Sequence, residues 1–70
     1  MARGIDASDW TARWDRRAGG SLSYGSLRGR FWITPEGALE IVWLVEPEPG
    51  PRHAKMIRAA ELAAAKAAGI

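Results

Sequence analysis

The sequence predicts an α+β fold: an N-terminal helix, a two- or three-stranded antiparallel sheet, and an alanine-rich C-terminal helix packed on one sheet face. Residues 27–46 have the pattern of a β-hairpin, because two segments rich in β-branched and aromatic residues flank a Pro-Glu-Gly turn. Residues 52–68 are rich in alanine, the residue with the highest helix propensity. We expect residues 1–70 to form one small domain.

The first predicted element is a helix from Asp6 to about Ala18. Asp6 is a favourable N-cap residue, and Asp9 occupies the capping-box position three residues later. Gly19 and Gly20 would end this helix. One of its faces would carry a narrow apolar stripe consisting of Ala7, Trp10, Trp14 and Ala18.

The next segment, residues 21–24, alternates polar and apolar side chains before Gly25. This alternation is typical of a short edge strand, and an irregular loop explains it equally well. If the strand forms, the sheet has three strands and is far more stable than an isolated hairpin.

The hairpin turn fixes the register of its two strands. In the Thr34–Gly37 segment, Pro35 suits a position with φ near −65°, and Gly37 suits one with positive φ. This is the three-residue loop of a type I turn closed by a left-handed glycine, which pairs Thr34 with Ala38. Counting onward pairs Ile33 with Leu39, Trp32 with Glu40, Phe31 with Ile41, Arg30 with Val42, Gly29 with Trp43, Arg28 with Leu44 and Leu27 with Val45.

Strand alternation then places these side chains on two faces. The first face is apolar: Leu27, Gly29, Phe31, Ile33, Leu39, Ile41, Trp43 and Val45. The second face is mixed: Arg28, Arg30, Trp32, Glu40, Val42 and Leu44. The N-terminal helix could cover Val42 and Leu44 with its tryptophans, or the face could be open and bind a partner. We expect Arg28, Arg30 and Trp32 to be exposed.

The last part of the chain predicts a stiff connector and a helix. Residues 46–51 contain three prolines, which stop the strand and keep the chain extended. Pro51 suits the first helical turn, and Gly69 suits the C-cap. The helix face expected to pack on the apolar sheet face consists of His53, Met56, Ile57, Ala60, Ala63, Ala64 and Ala67.

Composition limits how the domain is stabilised. A chain of 70 residues buries only roughly 60% of its unfolded surface. It has no cysteine, so neither disulfides nor thiolate metal sites are available, and the single His53 lacks carboxylates at ligand spacing. Homo-oligomerisation, or docking on a larger partner, therefore becomes more plausible. No segment has the pattern of a signal peptide or membrane span, which predicts a cytoplasmic protein.

The charges are distributed in three blocks. Residues 1–30 carry a net charge of +3, residues 31–50 carry −4 and residues 51–70 carry +3. The acidic hairpin region could neutralise the basic segments on either side, or the surface could dock on a charged partner. Near the helix start, Arg52, His53 and Lys55 could bind a phosphate or carboxylate, or be neutralised by Glu46 and Glu48.

Known catalytic patterns are absent from the sequence. It contains no cysteine nucleophile, no Gly-x-Ser-x-Gly motif and no glycine-rich phosphate loop followed by lysine. We therefore expect no enzyme activity, no cofactor and no metal site.

The order of elements resembles that of small DNA-binding domains that place a three-stranded sheet in the major groove, with an alanine-rich helix behind it. Examples are the plant ethylene-response DNA-binding domains and the arm-binding domains of integrases. The matching residues are Arg28, Arg30 and Trp32, then residues 42–44, and the alanines of residues 59–68. The order also resembles that of double-stranded RNA-binding domains, without their lysine-rich helix start. The motif spacing differs, so no family is assigned.

The mixed face favours a protein partner. Arg28 and Arg30 are balanced there by Glu40 and Glu46, whereas phosphate binding requires a basic surface. The leading hypothesis is a non-enzymatic protein-binding module, a regulator or inhibitor of a larger assembly, of the size of a phage or mobile-element accessory protein. Its partner site would consist of Arg28, Arg30, Trp32 and Glu40. The alternative is nucleic-acid binding through the Arg/Trp face of the sheet.

Overall fold

The computed structural model describes residues 6–70, in which a four-stranded antiparallel sheet carries one helix on one face. The elements are a 3₁₀ turn at Ala7–Asp9, strands β1 (Thr11–Asp15), β2 (Gly19–Tyr24), β3 (Leu27–Ile33) and β4 (Leu39–Val45), and helix α1 (His53–Ala68). The strands lie in chain order, each antiparallel to its neighbour. The α+β class is confirmed, but the predicted strand number of two or three was too low.

The prediction of an N-terminal helix was wrong. Its capping box does form, because Asp6 accepts a hydrogen bond from the Ser8 N–H (2.8 Å) and Asp9 accepts one from the Asp6 N–H (3.0 Å). However, the capping box starts only one 3₁₀ turn, and the chain becomes extended at Trp10. Trp10 and Trp14 are four residues apart, a spacing that fits one side of a strand as well as one face of a helix.

Strand β2 lies inside the sheet, between β1 and β3, so the prediction of an edge strand at residues 21–24 was also wrong. The turn before it is stabilised by Asp15, whose carboxylate accepts the N–H groups of Arg17 (2.8 Å) and Ala18 (3.3 Å). β2 begins two residues earlier than expected, at Gly19, and a two-residue turn at Gly25 connects it to β3. The segment that was predicted to be the N-terminal helix forms the additional edge strand, β1.

The predicted register of the β3–β4 hairpin is confirmed near the turn. The pairs from Ile33–Leu39 to Gly29–Trp43 are those predicted, and Thr34 donates its N–H to the Ala38 carbonyl (2.8 Å). The last two pairs were wrong, because a β-bulge shifts the register so that Arg28 pairs with Val45. A bulge sets two residues against one, which leaves Leu44 as the additional residue.

The centre of the core is a pair of stacked rings over a glycine. Trp14 on β1 and Phe31 on β3 both lie opposite Gly20 of the intervening strand. Their ring centroids are 5.6 Å apart with an interplanar angle of 18°. Strands two positions apart are separated by roughly 10 Å. The rings can meet because Gly20 has no side chain between them.

A second aromatic cluster surrounds Trp10, which is buried. Its ring lies 5.4 Å from that of Tyr24 and 5.5 Å from that of Trp43. The Trp43 ring covers Gly29 on the neighbouring strand, since a Cβ there would lie 3.1 Å from its Cε3. Trp10, just before β1, and Trp43 of β4 therefore meet across the helix-facing side of the sheet.

Helix α1 packs on this side through small residues. Ala60, Ala63 and Ala64 are buried, as predicted, together with Ala59, which the predicted stripe omitted. The helix starts at His53 rather than in the Pro51 turn, and it ends at a left-handed Gly69 as expected. Short alanine side chains let the helix lie close to the bulky Phe31 and tryptophan rings.

No helix in the described part of the chain is both long enough and apolar enough to cross a bilayer. The prediction about a signal peptide depends on the first residues, and residues 1–5 lie outside the described part.

Candidate functional site: the open face of the sheet

The side of the sheet opposite α1, here called the open face, is not covered by any described residue. Four hydrophobic residues there are clearly exposed: Trp32 (38%), Val42 (44%), Leu44 (66%) and Val45 (47%). The interpretation in which Trp10 and Trp14 cover Val42 and Leu44 was wrong, because both tryptophans belong to the aromatic clusters on the helix side. Exposure of Val45 corrects its predicted place on the buried face and follows from the bulge beside it.

All four residues predicted to bind a partner lie on the open face. Trp32 pairs directly with Glu40, and Arg30 pairs with Val42 in the next row on this side. Arg28 lies two residues before Arg30 on the same strand, and therefore on the same side. The structure thus places the predicted residues together, and the strand register accounts for their grouping.

The Arg30 guanidinium is held in place by backbone carbonyls. Its Nε donates to the Gly20 oxygen (3.1 Å) and its Nη2 donates to the Ala18 oxygen (3.0 Å), which lays the side chain across β2. Arg28 is held in a similar way by two carbonyls of the adjacent β2–β3 turn region. A guanidinium has five N–H donors, so several on Arg30 are available to a partner. Because the charge is already positioned, binding it costs less side-chain entropy.

A hollow of about 270 Å³ lies beside Arg30 at the β1–β2 end of the open face. Arg13 and Arg30 both line it, and they flank Ser21, with which each of them pairs. Asp15 also lines the hollow, and its carboxylate is bonded to backbone N–H groups of the turn. Two guanidinium groups on either side of a small polar residue suit an anionic group such as a carboxylate or phosphate.

Arg13 was missed as a site residue because the sequence placed it on a helix. The signal was present in residues 11–15, where Thr11, Arg13 and Asp15 alternate with Ala12 and Trp14. Their exposed and partly buried positions alternate in the same way along β1. An alternation of period two over five residues is typical of a strand and would have predicted that Arg13 lies on the sheet.

Strand β1 and the turn that follows it also contribute charges beside the open face. Within β1, Arg13 is offset by Asp15, just as Arg28 and Arg30 are offset by Glu40 and Glu46. Arg16 and Arg17 are exposed in the turn at the end of β1. The open face and this turn are therefore more basic than the balanced surface that the sequence predicted.

The residues predicted to bind an anion at the helix start do not line one cavity. Arg52 is the N-cap residue of α1, without a side-chain capping bond, and it lines a hollow of about 400 Å³ together with His53. Apolar residues such as Pro47 and Met56 line much of the rest of it. Lys55 lies instead at a separate hollow beside Arg58.

Within residues 6–70, no group of three or more histidine, cysteine or acidic residues is arranged to hold a metal ion. No protein-family model matches the chain, and comparisons with curated proteins and with solved structures give no match. The three-stranded sheet implied by the resemblance to small DNA-binding domains differs from the four-stranded sheet seen here.

Proposed function

We propose that this chain is a non-enzymatic binding module, a regulator or inhibitor of a larger assembly, which contacts a partner protein through the open face. The observation that carries the proposal is the exposed Trp32 beside Arg30, whose guanidinium is already fixed on the sheet. Tryptophan and arginine are the residues most enriched among binding hot spots. A regular sheet holds them rigidly, as a preorganised site requires.

The charges favour an acidic segment in the partner. A partner carboxylate could enter the hollow between Arg13 and Arg30, while an apolar side chain packs on Trp32. Glu40, paired with Trp32, would accept a hydrogen bond from the partner at the edge of this contact. The mixture of aromatic, cationic and acidic groups is typical of a protein interface rather than of a folding core.

The test is quantitative affinity capture from a lysate of the organism that encodes the chain. Trp32→Ala and Arg30→Gln should each reduce capture of the same protein at least about tenfold, the loss expected when one hot spot is removed. Arg30→Gln removes the charge while keeping a donor for the backbone carbonyls. The matched controls on the outer side of α1, Leu62→Ala and Arg58→Gln, should leave capture unchanged.

Thermal melts separate binding from folding. Because Trp32 is exposed, Trp32→Ala should melt close to the parent protein. The proposal fails if every captured protein binds the Trp32 and Arg30 variants as well as it binds the controls. It also fails if a loss of capture is accompanied by a large fall in the melting temperature, since Trp32 would then be part of the core.

Nucleic-acid binding is a second candidate, favoured by the arginines that β1 brings to the open face. Arg13 lies on β1, Arg28 and Arg30 lie on β3, and Arg16 and Arg17 extend the basic surface at the turn after β1. Phosphate contacts need such a basic surface, and an exposed tryptophan can stack on an unpaired base.

A gel-shift titration separates the two candidates. If nucleic acid is the partner, mixed DNA or RNA is retarded at low salt and released as salt is added, because binding displaces counterions. Arg13→Gln with Arg17→Gln should weaken the shift and its salt dependence, whereas Arg58→Gln should not. No retardation at any salt concentration would exclude this second candidate.

A further inference from the structure

Strand β4 forms one edge of the sheet, and its outer backbone groups face no other strand of the described chain. The hairpin is closed by a hydrogen bond from the Thr34 N–H to the Ala38 carbonyl (2.8 Å). Bonded pairs alternate along an antiparallel ladder, so the N–H and C=O of Val42 point to β3. The corresponding groups of its neighbours, Ile41 and Trp43, therefore point outward and are free to pair with another strand.

This edge has little protection against pairing. Sheet edges are normally blocked by charges, prolines, bulges or very short strands. The regular part of β4, Leu39–Trp43, carries only one charge, Glu40, and the bulge begins beyond it. Val42 and Leu44 are exposed beside the edge, while Ile41 and Trp43 are only partly buried on the helix side.

The opposite edge of the sheet is different. Strand β1 places Thr11, Arg13 and Asp15 at its exposed positions. Helix α1 packs on β1 and on the 3₁₀ turn that precedes it, whereas α1 has fewer contacts with β4. β4 is thus the edge at which an additional strand would bury apolar surface.

We infer that β4 pairs with β4 of a second copy of this chain, antiparallel about a twofold axis at Val42, so that two four-stranded sheets become one. An isologous contact requires a strand that is complementary to itself. With the axis at Val42, Ile41 lies opposite Trp43 of the other copy, and Glu40 lies opposite its Leu44. Ile41 and Trp43 then exchange the outward hydrogen bonds and form an aromatic–β-branched pair on the helix side.

Charge also selects this arrangement. A parallel, in-register pairing would place the two Glu40 carboxylates side by side. The antiparallel pairing separates them by four residue positions, or roughly 13 Å along the strand. Each Glu40 then lies opposite Leu44 of the other copy. In that copy, Val45 follows Leu44 and pairs with Arg28 on the next strand, so Glu40 points toward this arginine. The only charge on β4 is thereby directed toward an arginine.

The need for further burial points to the same partner. This chain of 70 residues has no cysteine for a disulfide staple. Domains of this size often add stability by oligomerisation, which buries apolar surface that a small core cannot cover. Pairing at β4 would cover part of Val42, Ile41 and Trp43 without using Arg13, Arg30 or Trp32, and it shares only Glu40 with the proposed partner site. The inference therefore does not rest on the proposed function.

Cysteine cross-linking tests the axis itself. In the dimer, Val42 lies opposite Val42 of the other copy as a non-hydrogen-bonded pair. The Cα atoms of such a pair are about 4.5 Å apart, which is within the range of a disulfide. Under mild oxidation, Val42→Cys should form a covalent dimer much faster than Leu44→Cys, which faces Glu40 instead. Leu62→Cys, on the exposed outer side of α1, measures random collision. Mixing Glu40→Cys and Leu44→Cys proteins should give a cross-linked heterodimer.

Sedimentation measures the equilibrium without cross-linking. The parent protein should show a concentration-dependent monomer–dimer equilibrium. Val42→Lys should raise its Kd by about tenfold or more, because two ammonium groups would face each other at the axis. Leu62→Lys should leave the Kd unchanged. A parent protein that remains monomeric overturns the inference, and so does a dimer in which Val42→Cys cross-links no faster than Leu62→Cys.

Discussion

Replacement of Gly20 by alanine should be among the most destabilising conservative changes in this domain. An alanine Cβ at this position would lie 2.2 Å from Cζ of Phe31, 2.3 Å from Cε1 and 2.4 Å from Cε2. Carbon atoms in contact normally lie about 3.5–4.0 Å apart, so the ring would have to move by more than about 1 Å. Phe31 is completely buried, and Trp14 stacks on it, which leaves no free space for that movement.

The loss of unfolding free energy caused by Gly20→Ala can be estimated from known effects of overpacking a core. Forcing an additional methyl group into a well-packed core costs about 1–3 kcal/mol, and contacts this short place Gly20→Ala at the upper end. A domain of this length has a total unfolding free energy of roughly 4–10 kcal/mol. A loss of about 3 kcal/mol would lower the melting temperature by roughly 12–24 °C, since each kcal/mol shifts a domain of this size by about 4–8 °C.

Thermal unfolding by circular dichroism measures this shift, and the chain provides a matched control. Gly50→Ala makes the same chemical change where no atom lies within 4 Å and φ is not positive, so it should alter stability by less than about 0.5 kcal/mol. Adding Phe31→Leu to Gly20→Ala should cost less than the two separate losses combined, because both changes act on the same contact. Equal melting temperatures for Gly20→Ala and Gly50→Ala would refute the stacked arrangement.

Three further changes test other parts of the fold. Gly29→Ala should cost less than Gly20→Ala in chemical denaturation, because its Cβ would lie 3.1 Å from a Trp43 ring that is only partly buried and can shift. Ala60→Leu should destabilise the protein by about 1–3 kcal/mol in the same assay, since Ala60 is fully buried on the side of α1 that packs on the sheet, whereas Leu62→Ala should stay within about 0.5 kcal/mol. Gly37→Ala should cost about 1 kcal/mol through backbone strain alone, because φ is +85° and no atom lies near the position.

The hairpin could be predicted because its register depends on local chemistry. Pro35 and Gly37 define the turn, and the first pairs follow from it without knowledge of the rest of the fold. The bulge at the far end could not be predicted in this way. Leu44 and Val45 are both apolar and both suit a strand, so the sequence pattern does not show which of them is the additional residue.

The N-terminal segment shows the opposite case, in which correct local signals led to the wrong element. The capping box of Asp6 and Asp9 exists, but a cap contributes only about 1 kcal/mol and cannot extend a helix against tertiary packing. As a strand, the segment buries Trp10 and brings Trp14 onto Phe31. Those contacts involve residues far apart in the sequence, so propensity and period within residues 6–18 could not reveal them.

Because residues 11–15 form a strand rather than a helix, the open face has two parts with different chemistry. The arginines lie on β1 and β3, and the exposed aliphatic residues lie on β4. The basic part suits an acidic partner, whereas the aliphatic edge suits another strand, so the two proposed contacts can coexist. If they are independent, Val42→Lys weakens the dimer and leaves capture at Trp32 intact. If the partner instead needs two open faces in one continuous sheet, Val42→Lys lowers capture in proportion to the loss of dimer, and a Val42→Cys disulfide dimer restores full binding. Measuring capture against dimer fraction across these variants distinguishes a monomeric binding face from a paired one.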